Sequence, residues 1–378
     1  MPTETQPQSS TPQRFVAIDR LRTAMMGIVI FGHGMLPYVT MPRRFKDPIT
    51  HSAFDWIGIF LYAFAMPAFF VTAGFAGAAL FAARGNQTFW RNRWRRLGVP
   101  LLVGYVLLTP LVRAAVKFSQ ATAATGELSA GWAVVTSLEW LRWNKLYHLW
   151  FLASLILFSG ALLLVRYASL RVPAAYRQRC DRTAANLMAT PAGPLALGLV
   201  AALPTSLSYA GGTGQGTDGW MQLMLFLFFA FGWWLHRHTA VLGTLRWGWS
   251  LLGAVLVWPV CVVATRTRLM DEDRADALTG IVAGIGNALI AAFGTVALLA
   301  LFERYCNADS PTWDYLGRSS YWNYLVHYPI VIAAGGVLAV TALPAGLKYL
   351  AAVGLAVPTI FLTYEIQRRL SERSPSPR

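Results

Sequence analysis

An arginine and a histidine eleven positions apart, Arg22 and His33, stand in RFVAIDRLRTAMMGIVIFGHGMLPY at the first apolar run of the chain. On a helix that spacing is about three turns, or ~16 Å along the axis, so the two side chains cannot touch. It suits a long substrate whose anionic part is gripped by a guanidinium while an imidazole acts as general base on the reactive part. Plainer roles fit the same pair: a histidine in a packing network, and an arginine that orients the chain in a membrane. Asp19 is close enough in sequence to pair with Arg20 or Arg22.

Three further segments carry polar groups among apolar ones. In RNRWRRLGVPLL, the residues Arg91, Arg93, Arg95 and Arg96 precede an apolar run; such a cluster either receives a polyphosphate or marks the cytoplasmic end of a span. YHLWFLASLI offers His148 as a hydrogen-bonding partner for a hydroxyl, and Trp150 to stack on a sugar or to anchor an interface. In SYWNYLVHYPI, the residues Ser320, Asn323 and His327 recur at three-to-four-residue spacing, so on a helix they share a polar face expected to point into a bundle. His33, His148 and His327 suffice in number for a metal, yet no H-E-x-x-H pair and no carboxylates at useful spacing accompany them, so no metal is expected. A G-x-S-x-G nucleophile elbow is also missing. Cys180, Cys261 and Cys306 lie far apart without a CxxC partner and are expected as buried small hydrophobes.

The elements that must position these groups are apolar to an unusual degree. Of 378 residues, 56% are hydrophobic and only 13% charged, against the roughly 25% charged of soluble domains. A bilayer core of ~30 Å takes roughly 20 apolar residues per helix. Ten segments qualify: 22–40, 56–83, 98–117, 148–168, 191–210, 219–236, 248–266, 278–302, 319–342 and 347–367. The expected fold is therefore all-α, a polytopic membrane bundle of about ten transmembrane helices with both termini on one side. With the N-terminus in the cytoplasm, 21 Lys and Arg fall inside and 11 outside, whereas acidic residues divide 8 to 9. That bias favours N-in and C-in, and it accounts for the net charge of +15 without a nucleic-acid partner. Residues 1–13 are polar, lack a signal-peptide core and are expected as a disordered cytoplasmic N-terminus; 371–378 are expected as a disordered tail. The longest connector, 118–147, holds Trp132, Trp140 and Trp143, and 208–220 reads as a flexible, glycine-rich outer loop.

Taken in order, RFVAIDRLRTAMMGIVIFGH, AMPAFFVTAGFAGAALF, RNRWRRLGVPLL, YHLWFLASLI and SSYWNYLVHYP resemble the integral-membrane acyltransferase-3 family, and within it the glucan-biosynthesis branch of membrane succinyltransferases. The set runs from Arg14 to Pro329, so the resemblance covers the layout of most of the chain. It implies an acyltransferase domain over 14–370 in a bacterial inner membrane. The implied reaction moves a short acyl group, succinyl or acetyl, from acyl-CoA to a hydroxyl of a periplasmic or cell-surface glycan. The family's pattern of Arg, ten residues, then His falls on Arg22 and His33 and makes His33 the catalytic residue. Arg22, Arg93, Arg95 and Arg96 would then meet the phosphates of succinyl-CoA or acetyl-CoA, while His148, Trp150, Asn323 and His327 would line the acceptor side. The implied partners are the glycan and membrane lipid, and a homo-oligomer stays open. Members of the glucan branch often carry Arg before a Met-x-x-Phe-Phe stretch where this chain has Ala65 before Met66, which leaves the acyl group open between succinyl and acetyl. Direct attack and a covalent acyl-histidine both fit. The rival class is a transporter or exporter of a glycan or lipid-linked sugar.

Overall fold

The computed structural model describes residues 15–43, 45–211, 214, 218–271 and 275–373. Among them are twelve α-helices and no strand: α1 (Val16–Met35), α2 (Ala53–Arg93), α3 (Val99–Thr125), α4 (Leu128–Thr136), α5 (Trp150–Ser169), α6 (Ala174–Met188), α7 (Ala192–Ala210), α8 (Gly219–Arg237), α9 (Trp247–Met270), α10 (Ala277–Tyr305), α11 (Pro311–Leu338) and α12 (Ala345–Arg373). Seven helical stretches are long and apolar enough to cross a membrane, and one of them, Ala53–Thr125, contains both α2 and α3 joined through a π-helical turn at Trp94–Gly98. The long helices α1 and α11 fall short of that apolarity. Asp19, Arg20 and Arg22 crowd the first two turns of α1, and the polar face with Asn323 and His327 dilutes α11. These two helices carry His33 and His327.

Local chemistry sets the helix ends. The side chains of Asp218, Asp276 and Ser310 accept backbone N–H groups at the starts of α8, α10 and α11, and Pro311 occupies the first turn of α11, where its missing N–H has no intrahelical acceptor anyway. α3 stops at Gly126, which takes the left-handed conformation at φ 77°. Gly85, at φ 70°, breaks α2, so that Phe89 beyond the break packs on Phe81 before it, with ring centroids 5.7 Å apart.

α10 is the axis of the bundle, with small buried residues such as Gly284, Ala288, Ala291 and Ala292 that let α7, α9 and α2 close on it. α2 and α8 cross at Gly74 and Gly232, where the space of each absent Cβ is taken by the other helix's backbone. Without a hydrophobic drive between helices in lipid, such small-residue contact is what holds neighbours together. Arg20, buried at 6% exposure, donates to the Cys306 carbonyl at 2.8 Å and so caps the C-terminus of α10 from α1. At the opposite end the stretches 36–43 and 45–52 fold over the bundle. The Asp47 and His51 amides donate to the Pro37 and Tyr38 carbonyls at 2.8 and 2.9 Å.

Several expectations are revised. The connector 118–147 is largely helical, since α3 continues to Thr125 and α4 follows. α6 has no counterpart among the expected segments; it is too polar to register as a span. α12 continues through Arg373, into the expected tail. Only Cys261 is buried, whereas Cys180 is exposed on α6 and Cys306 is partly exposed. Residues 1–13 and most of the glycine-rich stretch between α7 and α8 lie outside the described residues.

Candidate functional site

Three histidines that are remote in sequence meet at one place. His33 lies near the C-terminus of α1, His327 in the middle of α11, and His148 in a 3-10 turn that leads into α5. The His33 and His327 rings stand 5.2 Å apart, and His33 Nδ1 is 3.2 Å from His327 Nε2. His148 and His327 are 5.5 Å apart between ring centroids. Tyr328 packs on His33 and His148 at 4.8 and 5.4 Å, and Tyr62 of α2 reaches within 6.1 Å of His33. His327 is fully buried and His148 nearly so, at 6% exposure, while His33 keeps some accessible surface. His33 is therefore the member of the trio that a substrate can touch.

The sequence LVHYP explains how α11 holds the other two. Pro329 has no N–H, so the Leu325 carbonyl four residues earlier is left without its helical donor. His148 Nε2 fills that vacancy at 3.0 Å. Nε2 must carry the hydrogen, because a carbonyl only accepts, and the lone pair of His148 therefore sits on Nδ1, which is buried without a partner. The contact is reinforced in reverse by the Tyr324 hydroxyl, which donates to the His148 carbonyl at 2.8 Å. His327 Nδ1 in turn stands 3.1 and 2.8 Å from the Asn323 and Tyr324 carbonyls.

Asn323 enters the cluster through its backbone. Its amide Nδ2 donates to Ser319 Oγ at 3.2 Å, and its Oδ1 is buried without a partner. The Trp150 ring, at the start of α5, packs on Phe70 and Phe151 at 6.3 and 6.5 Å. Tyr62 has no local motif to mark it. Its hydroxyl, buried and unpartnered, sits against Gly32, where an added Cβ would approach it to 3.2 Å.

The arginines lie toward the other end of the bundle. Arg22 pairs with Asp19 at 3.4 Å, both side chains about two-fifths exposed. It opens on a cavity of about 250 Å³ between α1 and α11 that Arg20, Trp313, Asp314 and Arg318 also line. Arg93, Arg95 and Arg96 do not line that cavity. Arg93 instead turns inward: its guanidinium lies over the Phe89 ring at 4.8 Å and fills the space left by Gly77, with Nε and Nη2 buried and unpartnered. Arg95 and Arg96 are exposed in the π-helical turn, and the Arg96 carbonyl accepts the Tyr321 hydroxyl of α11 at 2.6 Å. Among the described residues no group of three or more His, Cys, Asp or Glu side chains is arranged to hold a metal ion.

Comparison with known proteins gives this geometry a context. A family model described as an acyltransferase domain, that of acyltransferase-3, matches residues 15–365. The chain is also similar to glucans biosynthesis protein C of Salmonella heidelberg and of Salmonella dublin, with 27% identity over 155 residues in each. That alignment takes in 40% of this chain and 39% of either relative, so the chain spans about two fifths of the length of the curated relatives it matches. No solved structure matches.

Proposed function

The chain belongs to the acyltransferase-3 family, and from that premise we propose that it moves a short acyl group, acetyl or succinyl, from acyl-CoA to a hydroxyl of a periplasmic or cell-surface glycan. The observation that carries the reading is the placement of His33. It is the accessible member of a histidine cluster near one end of α1, and Arg22 opens on a polar cavity near the other end. The ~16 Å between them along α1 is of the order of a phosphopantetheine arm. The nucleotide end of the donor can therefore rest against Arg22 and the arginine run while the thioester reaches His33.

In this reading the ten long helices all cross a bacterial inner membrane, with both termini and the arginine run on the cytoplasmic face, a placement that the excess of basic residues there supports. His33 removes the proton of the acceptor hydroxyl as that oxygen attacks the thioester carbonyl, and returns it to the departing CoA thiolate. The Tyr62 hydroxyl, unpartnered beside His33, donates to the oxyanion that develops. His148, joined to the Leu325 carbonyl, braces α11 behind His33. Both substrates meet inside the bundle, so the glycan itself need not cross the membrane. The succinyl-or-acetyl choice turns on a carboxylate partner, and Ala65, where the glucan branch often carries Arg, supplies none at that position.

Mass spectrometry of surface and periplasmic glycans tests this, comparing cells that lack the protein, cells complemented with it, and cells complemented with His33→Ala. An acyl mass that is lost on deletion, restored by the wild type and not by the variant is the expected result. Normal acylation by a well-expressed His33→Ala protein would overturn the role of His33.

A further inference from the structure

Each histidine of the cluster has one ring nitrogen committed, and the commitments propagate. His327 Nδ1 faces two backbone carbonyls, at 2.8 and 3.1 Å, and carbonyl oxygens only accept. Nδ1 therefore bears the hydrogen, and the neutral ring presents its Nε2 lone pair. The group 3.2 Å away is His33 Nδ1. For the two nitrogens to bond, His33 must carry its hydrogen on Nδ1, which leaves the Nε2 lone pair as the basic site. The geometry points to His327 as the positioning residue that fixes His33 in the Nδ1–H tautomer, so that Nε2 is the nitrogen that takes the substrate proton. This deepens the acyl-transfer reading and rests on it for the identity of the base.

The arrangement has the logic of a buried orienter behind a catalytic imidazole, with a backbone-locked histidine in place of a carboxylate. When His33 Nε2 takes the hydroxyl proton, the positive charge is shared along the His33 Nδ1–H to His327 Nε2 bond. The proton on Nε2 then passes to the CoA thiolate, and both rings return to their starting tautomers. No proton is lost or gained over the cycle, and His327 never touches substrate. One competitor exists on α1 itself: the Val29 carbonyl, four residues and so one turn before His33 on the same helix. If it held the ring alone, His327 would be dispensable for the tautomer.

The test uses the full-length protein, labelled with 15N-histidine, in lipid nanodiscs at neutral pH, with the His33 resonances identified by their loss in His33→Gln. The wild type is expected to show a protonated Nδ1 and a bare Nε2 at His33. His327→Gln, whose side-chain oxygen can still accept from His33 Nδ1, is expected to keep that pattern and stay within about tenfold of wild-type acylation. His327→Phe, which keeps the ring but not the acceptor, is expected to move the hydrogen of His33 to Nε2 and to lower acylation at least ~100-fold, on the scale of a wrong-tautomer defect. A bare Nδ1 at His33 in the wild type overturns the proposal without recourse to any variant. An unchanged His33 tautomer in folded His327→Phe overturns it in favour of Val29. Normal acylation by His33→Ala would instead remove the base assignment while leaving the tautomer measurement to stand or fall by itself.

Discussion

The two ends of the bundle treat charge in opposite ways. At the end where Asp47 and Asp55 lie, each buried carboxylate is paired with a cation. Asp47 and Lys348 form a bond of 2.8 Å with both side chains fully buried, and Asp55, also fully buried, meets Arg266 at 3.2 Å and Thr40 through its side chain and amide. At the arginine end, Arg91, Arg93, Arg95 and Arg96 make no ion pair among the described residues, and Arg93 has two guanidinium nitrogens buried without a partner. A buried pair cancels its field and ties α12 to the segment that leaves α1. Arg93 has only the Phe89 ring against its guanidinium, so an anion that reached its unpartnered nitrogens would offset part of their desolvation. The difference separates charge paired within the fold from charge left without an ion pair, to which the proposed function assigns the phosphates of acyl-CoA.

Breaking one partner at the Asp47 end should have the largest effect. Lys348→Met leaves the Asp47 carboxylate buried and uncompensated, and is expected to cost about 3–5 kcal/mol of stability, measured as a lowered unfolding midpoint in detergent. Adding Asp47→Leu to that variant should recover most of the loss, because the apolar pair leaves no charge behind. At the arginine end the same operation should behave differently. Arg93→Met removes a cation that makes no ion pair and keeps an apolar chain against Phe89, so the midpoint is expected to hold, while the KM for acyl-CoA rises ~10- to 100-fold, the scale of a lost charge-assisted contact. A fall in midpoint with unchanged KM would make Arg93 a structural residue like Lys348 and erase the contrast.

A smaller effect is expected at the α1–α11 cavity. Arg318→Gln should raise the KM for acyl-CoA severalfold with kcat retained, since Arg318 is exposed at the rim and its field is screened. The smallest concerns Asp276, the cap of α10. Its carboxyl is held below the usual carboxylate range, chiefly by the Thr279 amide. A depressed folded-state value means that the contribution is present above the unfolded carboxylate range and is lost as pH falls through the folded one. Protection of the first-turn amides of α10, taken relative to their intrinsic exchange rates, should therefore fall at acid pH in the wild type, and already be low at neutral pH in Asp276→Ala.

Much of this was legible in the chain, and the gaps have physical causes. The apolar runs mark most of the long helices, because a stretch of that many consecutive apolar residues satisfies its backbone polar groups most simply as a helix, whereas α1 and α11 are diluted by the polar residues that carry the site. α6 escapes notice because it is polar, and its formation depends on no apolar run. The shared face of Asn323 and His327 follows from helical spacing. The bond between His33 and His327 does not, because it joins residues 294 apart through the packing of α1 on α11. Pro329 was the readable clue to His148: a proline inside a helix frees the carbonyl four residues back, and that carbonyl is where His148 binds. Sequence proximity offers Arg20 only as a partner for Asp19, yet it is a buried tie to α10. Tyr62 had no signal, since its place beside His33 depends on how α2 and α1 pack.

Release of CoA from acyl-CoA tests the central claim most directly, using purified protein in vesicles with extracts of the cell's own glycans as acceptor. Wild-type protein should liberate free CoA thiol in step with the appearance of acylated glycan, and His33→Ala should do neither. Movement of glycan across the vesicle membrane with no CoA released by either protein would contradict the account and make the chain a transporter.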